Sequence, residues 1–296
     1  MTAPDIFDRR LFRQRRLKAL RKKVNGADFL LKTVSDDLAD RLSMISRNFK
    51  TGIDLGGHTG HIAAMLKQSG KVETVYRGDL FDPDPALDPP DFVFDDALPP
   101  LRDASVGLIV SALSLQFVND LPGTLIQIRR ALEPDGLFLA TLPGAETLFE
   151  LRDVLMRAEL ELSGGAAPRV GPFTDVRELG SLLQRAGFAL PVTDLDRITV
   201  RYNSLFDLMN DLRAMGAASV LRERSRTPLS KQVFFRAAEL YARDHADADG
   251  RIRATFALVS LSGWAPHESQ QKPLKPGSAK TSLADALNAQ KGDLKK

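Results

Sequence analysis

The chain has 296 residues, 43% of them hydrophobic, a formal net charge of +3 and no cysteine. That length and apolar content suit one large α/β domain with embellishments, or two small ones. The lack of cysteine excludes disulfides, thiolate zinc sites, iron–sulfur clusters and cysteine nucleophiles.

The charge is unevenly placed. A basic run from Arg9 to Lys23 is opposed only by Asp5 and Asp8, and no apolar stretch follows it, so a secretory signal is not expected. The early aspartates and the absence of serine argue against a transit peptide. The simplest reading is a solvated helix face, with an acidic protein, a nucleic acid or an anionic membrane surface as the alternatives; for the chain as a whole no nucleic acid partner is expected. Next, "ADFLLKTVSDDLADRLSMI" spaces Phe29, Leu30, Val34, Leu38, Leu42 and Ile45 as one face of a helix. These N-terminal helices, over residues 1–48, precede the first strand.

From residue 49 strands and helices alternate, as in a parallel doubly wound sheet. "GIDLG" reads as the first strand and "HIAAMLKQ" as its helix; "VETVYRGD" is the second strand, and "DPDPALDPP" then leaves little room for a regular helix. "DFVFDD" is a short third strand, "VGLIVSAL" a buried fourth, "DLPGTLIQIRRAL" a helix with Asp120 near its start, and "GLFLATLPG" a fifth strand. The longest apolar run, residues 106–118, falls short of the roughly 18 residues of a membrane span. No transmembrane segment is expected, and peripheral membrane contact stays open.

Beyond Gly144 helical patterns dominate, interrupted by "ITVRY" and "IRATFALVSLSGW". Both are expected to be edge strands completing the sheet, with a helical cap over residues 204–245 inserted between them. The domain is expected to run over 49–265. Residues 266–296, lysine-rich and poor in large apolar side chains, are expected to be a disordered tail.

Ligands of open α/β sheets bind beyond the carboxyl ends of the strands, and that is where this sequence gathers its acids. Asp54 closes strand one, Gly56, Gly57 and Gly60 form the following turn, Asp79 ends strand two, and Asp95, with Asp96 beside it, ends strand three. A carboxylate ending strand two can accept from both hydroxyls of a ribose, and Asp95 or Asp96 from an adenine amino group. Any one of these aspartates alone is as readily a turn or helix cap; their order along consecutive strands is what points to a ligand. "GGHTGH" lacks the lysine and Ser/Thr of a P-loop. His245, Asp247 and His267 have the order of a two-histidine, one-carboxylate iron triad, but "HADADG" reads as a helix end and its turn, and no metal site is expected.

This arrangement resembles the class I S-adenosylmethionine-dependent methyltransferases, with "IDLGGHTG", "YRGD" and "DDALPPLRDASVGLIVS" standing for their motifs. More narrowly, "IFDRRLFRQRR", "LSLQFVNDLPGTLIQIRRALEPDG", "GAETLFELR", "PFTDVRELGSLLQRAGF", "LFDLMNDLRAMG" and "GWAPHESQ" resemble the arginine-hydroxylase family of respiratory complex I assembly. Biotin-pathway carboxyl methyltransferases are similar through the core but lack the C-terminal phrases. The resemblance implies an α/β enzyme with a Rossmann-like sheet that binds S-adenosylmethionine and modifies an arginine on a peripheral complex I subunit, in the bacterial cytoplasm or on the matrix side. Asp54, Gly56 and Gly60 match its cofactor loop, Asp79 its ribose-binding acid and Asp95 its adenine-side acid. Methylation and hydroxylation stay open, as do a small-molecule carboxyl methyltransferase and an assembly chaperone without turnover. Two positions depart from the family pattern: His58 stands for a glycine, and Gln116 with Phe117 for His-Trp. Histidine tolerates positive φ, but its ring takes space beside the cofactor, so His58→Gly is expected to leave affinity equal or tighter.

Overall fold

The computed structural model describes residues 5–80 and 87–271. In chain order, α1 (Arg9–Lys22) and α2 (Phe29–Ser43) precede β1 (Phe49–Leu55), α3 (His61–Gln68), β2 (Val72–Asp79), β3 (Phe92–Val93) and β4 (Val106–Ala112). They are followed by α4 (Leu121–Ala131), β5 (Leu132–Pro143), α5 (Phe149–Ser163) and α6 (Val176–Arg185), and then by β6 (Ala189–Tyr202), α7 (Leu205–Ala214), α8 (Lys231–His245) and β7 (Ile252–Trp264). Part of the proline-rich segment after β2, and the tail beyond residue 271, lie outside the described residues.

Seven strands form one sheet in the order β3-β2-β1-β4-β5-β7-β6. The first five are parallel. Every position of β4 is buried, as a strand with helices on both faces requires. Because the chain winds outward in both directions from β1 and β4, a crevice opens beyond the carboxyl ends of these two strands. Asp120 caps α4 as its position suggests, its side chain accepting from the Gly123 N–H at 2.9 Å.

The far edge differs from the expectation. β7 is not an edge strand: it lies between β5 and β6 and is antiparallel to both, which makes the sheet mixed. Its near-continuous apolar run is what a two-sided interior position demands. β6 alone is the edge, and it begins nine residues before "ITVRY", at Ala189. The added segment carries Pro191, Asp194 and Asp196, which disguise it as a loop; on an edge, proline costs no ladder bond and charge deters pairing with another chain. The helices α7 and α8 lie between β6 and β7 in the chain, as the sequence predicts.

Two apolar layers sandwich the sheet. Leu30, Leu38, Leu42, Val154 and Tyr241 belong to one, and Leu125, Ile128, Leu179 and Leu183 to the other. The described residues up to Pro266 make one compact unit; beyond it, the His267 ring and the Ser269 hydroxyl hydrogen-bond at 2.7 Å. The helix α1 has little apolar surface of its own: Phe12, Arg16 and Ala19 are its buried residues, spaced along one stripe. Phe12 sits with Phe7, Val220 and Leu221 in a small separate cluster, its ring centroid 4.5 Å from that of Phe117.

Leu38 is fully buried between α2 and the sheet. Leu38→Ala should lower unfolding free energy by about 2–5 kcal/mol, measured by urea denaturation.

Candidate functional site

The crevice beyond β1, β2 and β4 holds buried carboxylates that folding alone does not need. Asp54 is fully buried at the end of β1; its Oδ2 accepts from the Ala63 N–H at 3.0 Å, while its Oδ1 has no partner. Burial, reinforced by the nearby Asp79 charge, pushes its carboxyl up to about 7, against the Ala63 hydrogen bond and the Arg77 and Arg16 charges. Asp79, at the end of β2, is 1% exposed and takes the His58 and Leu80 N–H groups on its two oxygens, each at 2.6 Å.

The loop between β1 and α3 is closely packed against neighbouring side chains. Gly56 has φ +78°, and a Cβ there would collide with the Ser114 side chain; one on Gly57 would collide with Arg77 and Asp54. Gly60 is the last residue of the turn and precedes α3. Asp95 and Asp96 follow β3 but differ in setting. Asp95 is partly exposed and accepts from the Ala97 N–H at 2.9 Å, whereas Asp96 is 1% exposed and accepts from the Ser114 hydroxyl at 2.5 Å. Asp96 is thus the one of the pair that faces Gly56, and burial raises its carboxyl despite Arg9 and Ser114.

The counter-charges come from α1. Arg9 bonds both Asp95, at 2.7 Å, and Asp96. Arg16, 4% exposed, reaches His58 Nδ1 at 2.9 Å, the Ser114 hydroxyl at 3.2 Å, the Gly56 carbonyl at 2.5 Å and Asp79 at 3.3 Å. Both guanidinium groups flank the Phe12 ring, 5.2 and 5.4 Å from its centroid. Asn119 holds the segment before the helix, its Oδ1 accepting from Ile6 and Phe7 N–H at 2.9 and 2.8 Å. The basic run is therefore more than a solvated face: one side of it closes the acidic crevice.

His58 adopts φ 42°, so the turn survives the substitution. Its ring is also occupied. Burial and then the Arg16 charge hold the imidazole well below its ordinary value; it is neutral, and with Nδ1 accepting from Arg16 the proton sits on Nε2. The ring joins the glycine loop to α1, a contact that His58→Gly would remove. Phe117, the other departure, is the platform for Phe7 and Phe12, and Gln116 leaves a buried Oε1 without a partner.

Beside the crevice lies a cavity of about 820 Å³, reaching from His58, Thr59 and Gln116 to Leu155 and Val170, with Met209, Leu212 and Met215 along one wall. Its walls are mostly apolar, and Arg15, Arg16, Lys23, Lys32, Arg169 and Arg213 line it alongside Asp28 and Asp88. Among the described residues no group of three His, Asp or Glu side chains is placed to hold a metal ion. His245 packs on Phe149 and Tyr241.

A model of the methyltransferase domain matches residues 26–191. Over 264 residues the chain is 37% identical to the arginine-hydroxylase NDUFAF5, mitochondrial, of Danio rerio, covering 87% of this chain and 82% of that protein. Its human counterpart is 37% identical over 288 residues, with 95% and 83% covered. The chain belongs to the arginine-hydroxylase NDUFAF5 family of methyltransferase-domain proteins. A malonyl-[acyl-carrier protein] O-methyltransferase of Laribacter hongkongensis is also similar, 30% identical over 272 residues that cover 85% of this chain and 88% of that protein. Among solved structures, the YcgJ protein of Bacillus subtilis has a TM-score of 0.53 at 14% identity, covering 79% of this chain and 99% of that one, which shows the shared fold.

The residues of this family member fit S-adenosylmethionine. The unpaired Asp54 Oδ1 suits its ammonium group, and Asp79 and Asp96 each lie at a strand end where ribose and adenine donors need acceptors. Sequence reasoning missed Ser114, Arg9 and Arg16. The position of Ser114 just beyond β4 was a usable signal; nothing in a dense basic run marks which two arginines turn inward.

The Asp54 pKa gives a stability prediction. The folded chain keeps this proton up to about 7, well above the ordinary 3.8, so it binds more protons than the unfolded chain between those values. The stability this confers is complete at the acid end and declines as the pH rises through about 7. Thermal melts of unliganded protein across this window should therefore show a shallower decline for Asp54→Asn than for wild type; equal slopes would refute the raised pKa.

Proposed function

We propose that the chain is an S-adenosylmethionine-binding enzyme that modifies a protein side chain, an arginine on a peripheral subunit of respiratory complex I, by methyl transfer or by hydroxylation with an oxidant supplied from outside the chain. The observation that carries the cofactor half is the set of buried acids on successive strand ends around a loop with no room for a Cβ at Gly56 or Gly57. The relatives named arginine-hydroxylase support the acceptor half. The site of action is the cytoplasm of a bacterial cell, or the matrix side in a mitochondrion; no described helix is long and apolar enough to cross a membrane.

In this reading Asp79 accepts from the ribose hydroxyls, Asp96 with Asp95 serves the adenine end, and Gly56, Gly57 and Gly60 let the backbone approach the methionine end. Asp54 Oδ1 accepts from the ammonium group in its ionised form. S-adenosylmethionine supplies an electrophilic methyl on a sulfonium. The chain's own task is mainly positioning: the apolar cavity excludes water, and Gln116 Oε1 offers an acceptor to an incoming N–H.

A second reading, transfer of a methyl to a small carboxylate or acyl substrate, draws on the same cavity. It is bordered by α7 and lined by more cations than anions, which suits an anionic acceptor, and one group of relatives is named for malonyl-[acyl-carrier protein].

Calorimetry with S-adenosylhomocysteine should show binding to wild type and a loss of about ten- to hundredfold for Asp79→Ala. The acceptor half is tested by intact-mass analysis of complex I subunits from cells with and without the gene. A mass gain of one methylene or one oxygen on a peripheral subunit supports the reading; no gain on any subunit, with methyl transfer to a carboxylate in vitro, would replace it with the second.

A further inference from the structure

The remaining question about the crevice is what happens to Arg16 when a ligand enters. Arg16 is 4% exposed, and its helix holds it in place, because Phe12 and Ala19 on the same stripe are buried one turn either side. Three of its partners, His58 Nδ1, the Ser114 hydroxyl and the Gly56 carbonyl, are uncharged; the negative charge is that of Asp79, at 3.3 Å from Nη2 to Oδ2.

Asp79 cannot serve both Arg16 and a ribose in the present arrangement. A carboxylate oxygen has two lone pairs, and each oxygen of Asp79 already spends one on a backbone N–H, from His58 and from Leu80. Two vicinal hydroxyls need the two that remain, and Arg16 faces one of them. A ribose that takes it weakens the Arg16–Asp79 ion pair and leaves the guanidinium with its uncharged partners and the fields of Asp54 and Asp96. A carboxylate on the ligand would restore the lost partner.

We propose that Arg16 is the carboxylate-recognising residue of the site, exchanging Asp79 for the carboxylate of the ligand's amino-acid end when the ribose occupies Asp79. The inference rests on the reading of the crevice as an S-adenosylmethionine site. The placement fits: Nη2 already touches the carbonyl of Gly56, in the loop that lies between the Asp79 end and the Asp54 end of the crevice. Neighbouring cations are committed elsewhere. Arg9 is held by Asp95 and Asp96, Arg77 by Asp88 at 2.7 Å, and Arg15 by the Ser219 carbonyl. A guanidinium fork matches a carboxylate in two parallel hydrogen bonds, and here it is preorganised by His58 on its Nε side. His58 is thereby a positioning residue for Arg16, which gives the substituted glycine a purpose.

The experiment compares two ligands on the full chain by calorimetry. S-adenosylhomocysteine carries adenine, ribose and the amino-acid end; 5′-methylthioadenosine carries the first two and lacks the carboxylate. Arg16→Gln should weaken S-adenosylhomocysteine by about ten- to hundredfold and leave 5′-methylthioadenosine within about threefold, while Arg16→Lys recovers part of the loss. Phe12→Ala, which removes the ring packed on the Arg16 guanidinium and loosens α1, should likewise weaken S-adenosylhomocysteine more than 5′-methylthioadenosine. Equal weakening of both ligands by Arg16→Gln, or no change for S-adenosylhomocysteine, would overturn the proposal while wild-type binding kept the cofactor reading intact. Failure of wild type to bind either ligand would end both.

Discussion

Everything in the crevice follows from placing carboxylates where the ends of parallel strands leave them buried. Asp54, Asp79 and Asp96 are each 1% exposed or less. Such charges are tolerated only when protonated, hydrogen-bonded or paired. This chain uses all three: Asp54 holds its proton to about 7, Asp79 takes two backbone N–H groups, and Asp96 is bonded by Ser114 and Arg9. The need for counter-charge explains a helix that otherwise has little reason to dock. Its apolar contribution is little more than Phe12 and Ala19, and Arg9 and Arg16 supply the rest.

In the structure α1 neutralises the acids and closes the crevice. In the proposed reading, a ligand with two hydroxyls and a carboxylate meets Asp79 and Arg16 separately, so selection is by charge pattern as well as by shape. The Phe7–Phe12–Phe117 contacts and the Asn119 hydrogen bonds keep the helix registered over the site. The cavity beside the crevice is lined both by this helix and by the residues after α7, so the helix that covers the acids is also one of its walls.

Much of this was legible in sequence for reasons of periodicity. Strands buried on both faces read as continuous apolar runs, so β4 and β5 were plain, and the acids at their neighbours' ends could be lined up by position. β6 was misjudged because edge strands carry proline and charge, the features that elsewhere mark loops. The insertion of β7 between β5 and β6 was hidden for a different reason: strand order depends on which partner a strand meets, and apolar content does not name the partner. His58 read as a departure because a motif compares residue types, whereas its ring is held by Arg16, 42 positions away in the chain.

The sequence by itself determined the α/β class, the succession of elements to β5, the glycine loop and the acids Asp54, Asp79, Asp95 and Asp96, because each depends on neighbours near in the chain. Only the tertiary structure decided that Asp96 rather than Asp95 faces Gly56, that β7 is interior, and that Arg9 and Arg16 turn inward from an otherwise solvated basic helix. Those outcomes rest on long-range pairing of buried charge and on strand partnership, and the energy of such contacts depends on burial that no local pattern encodes.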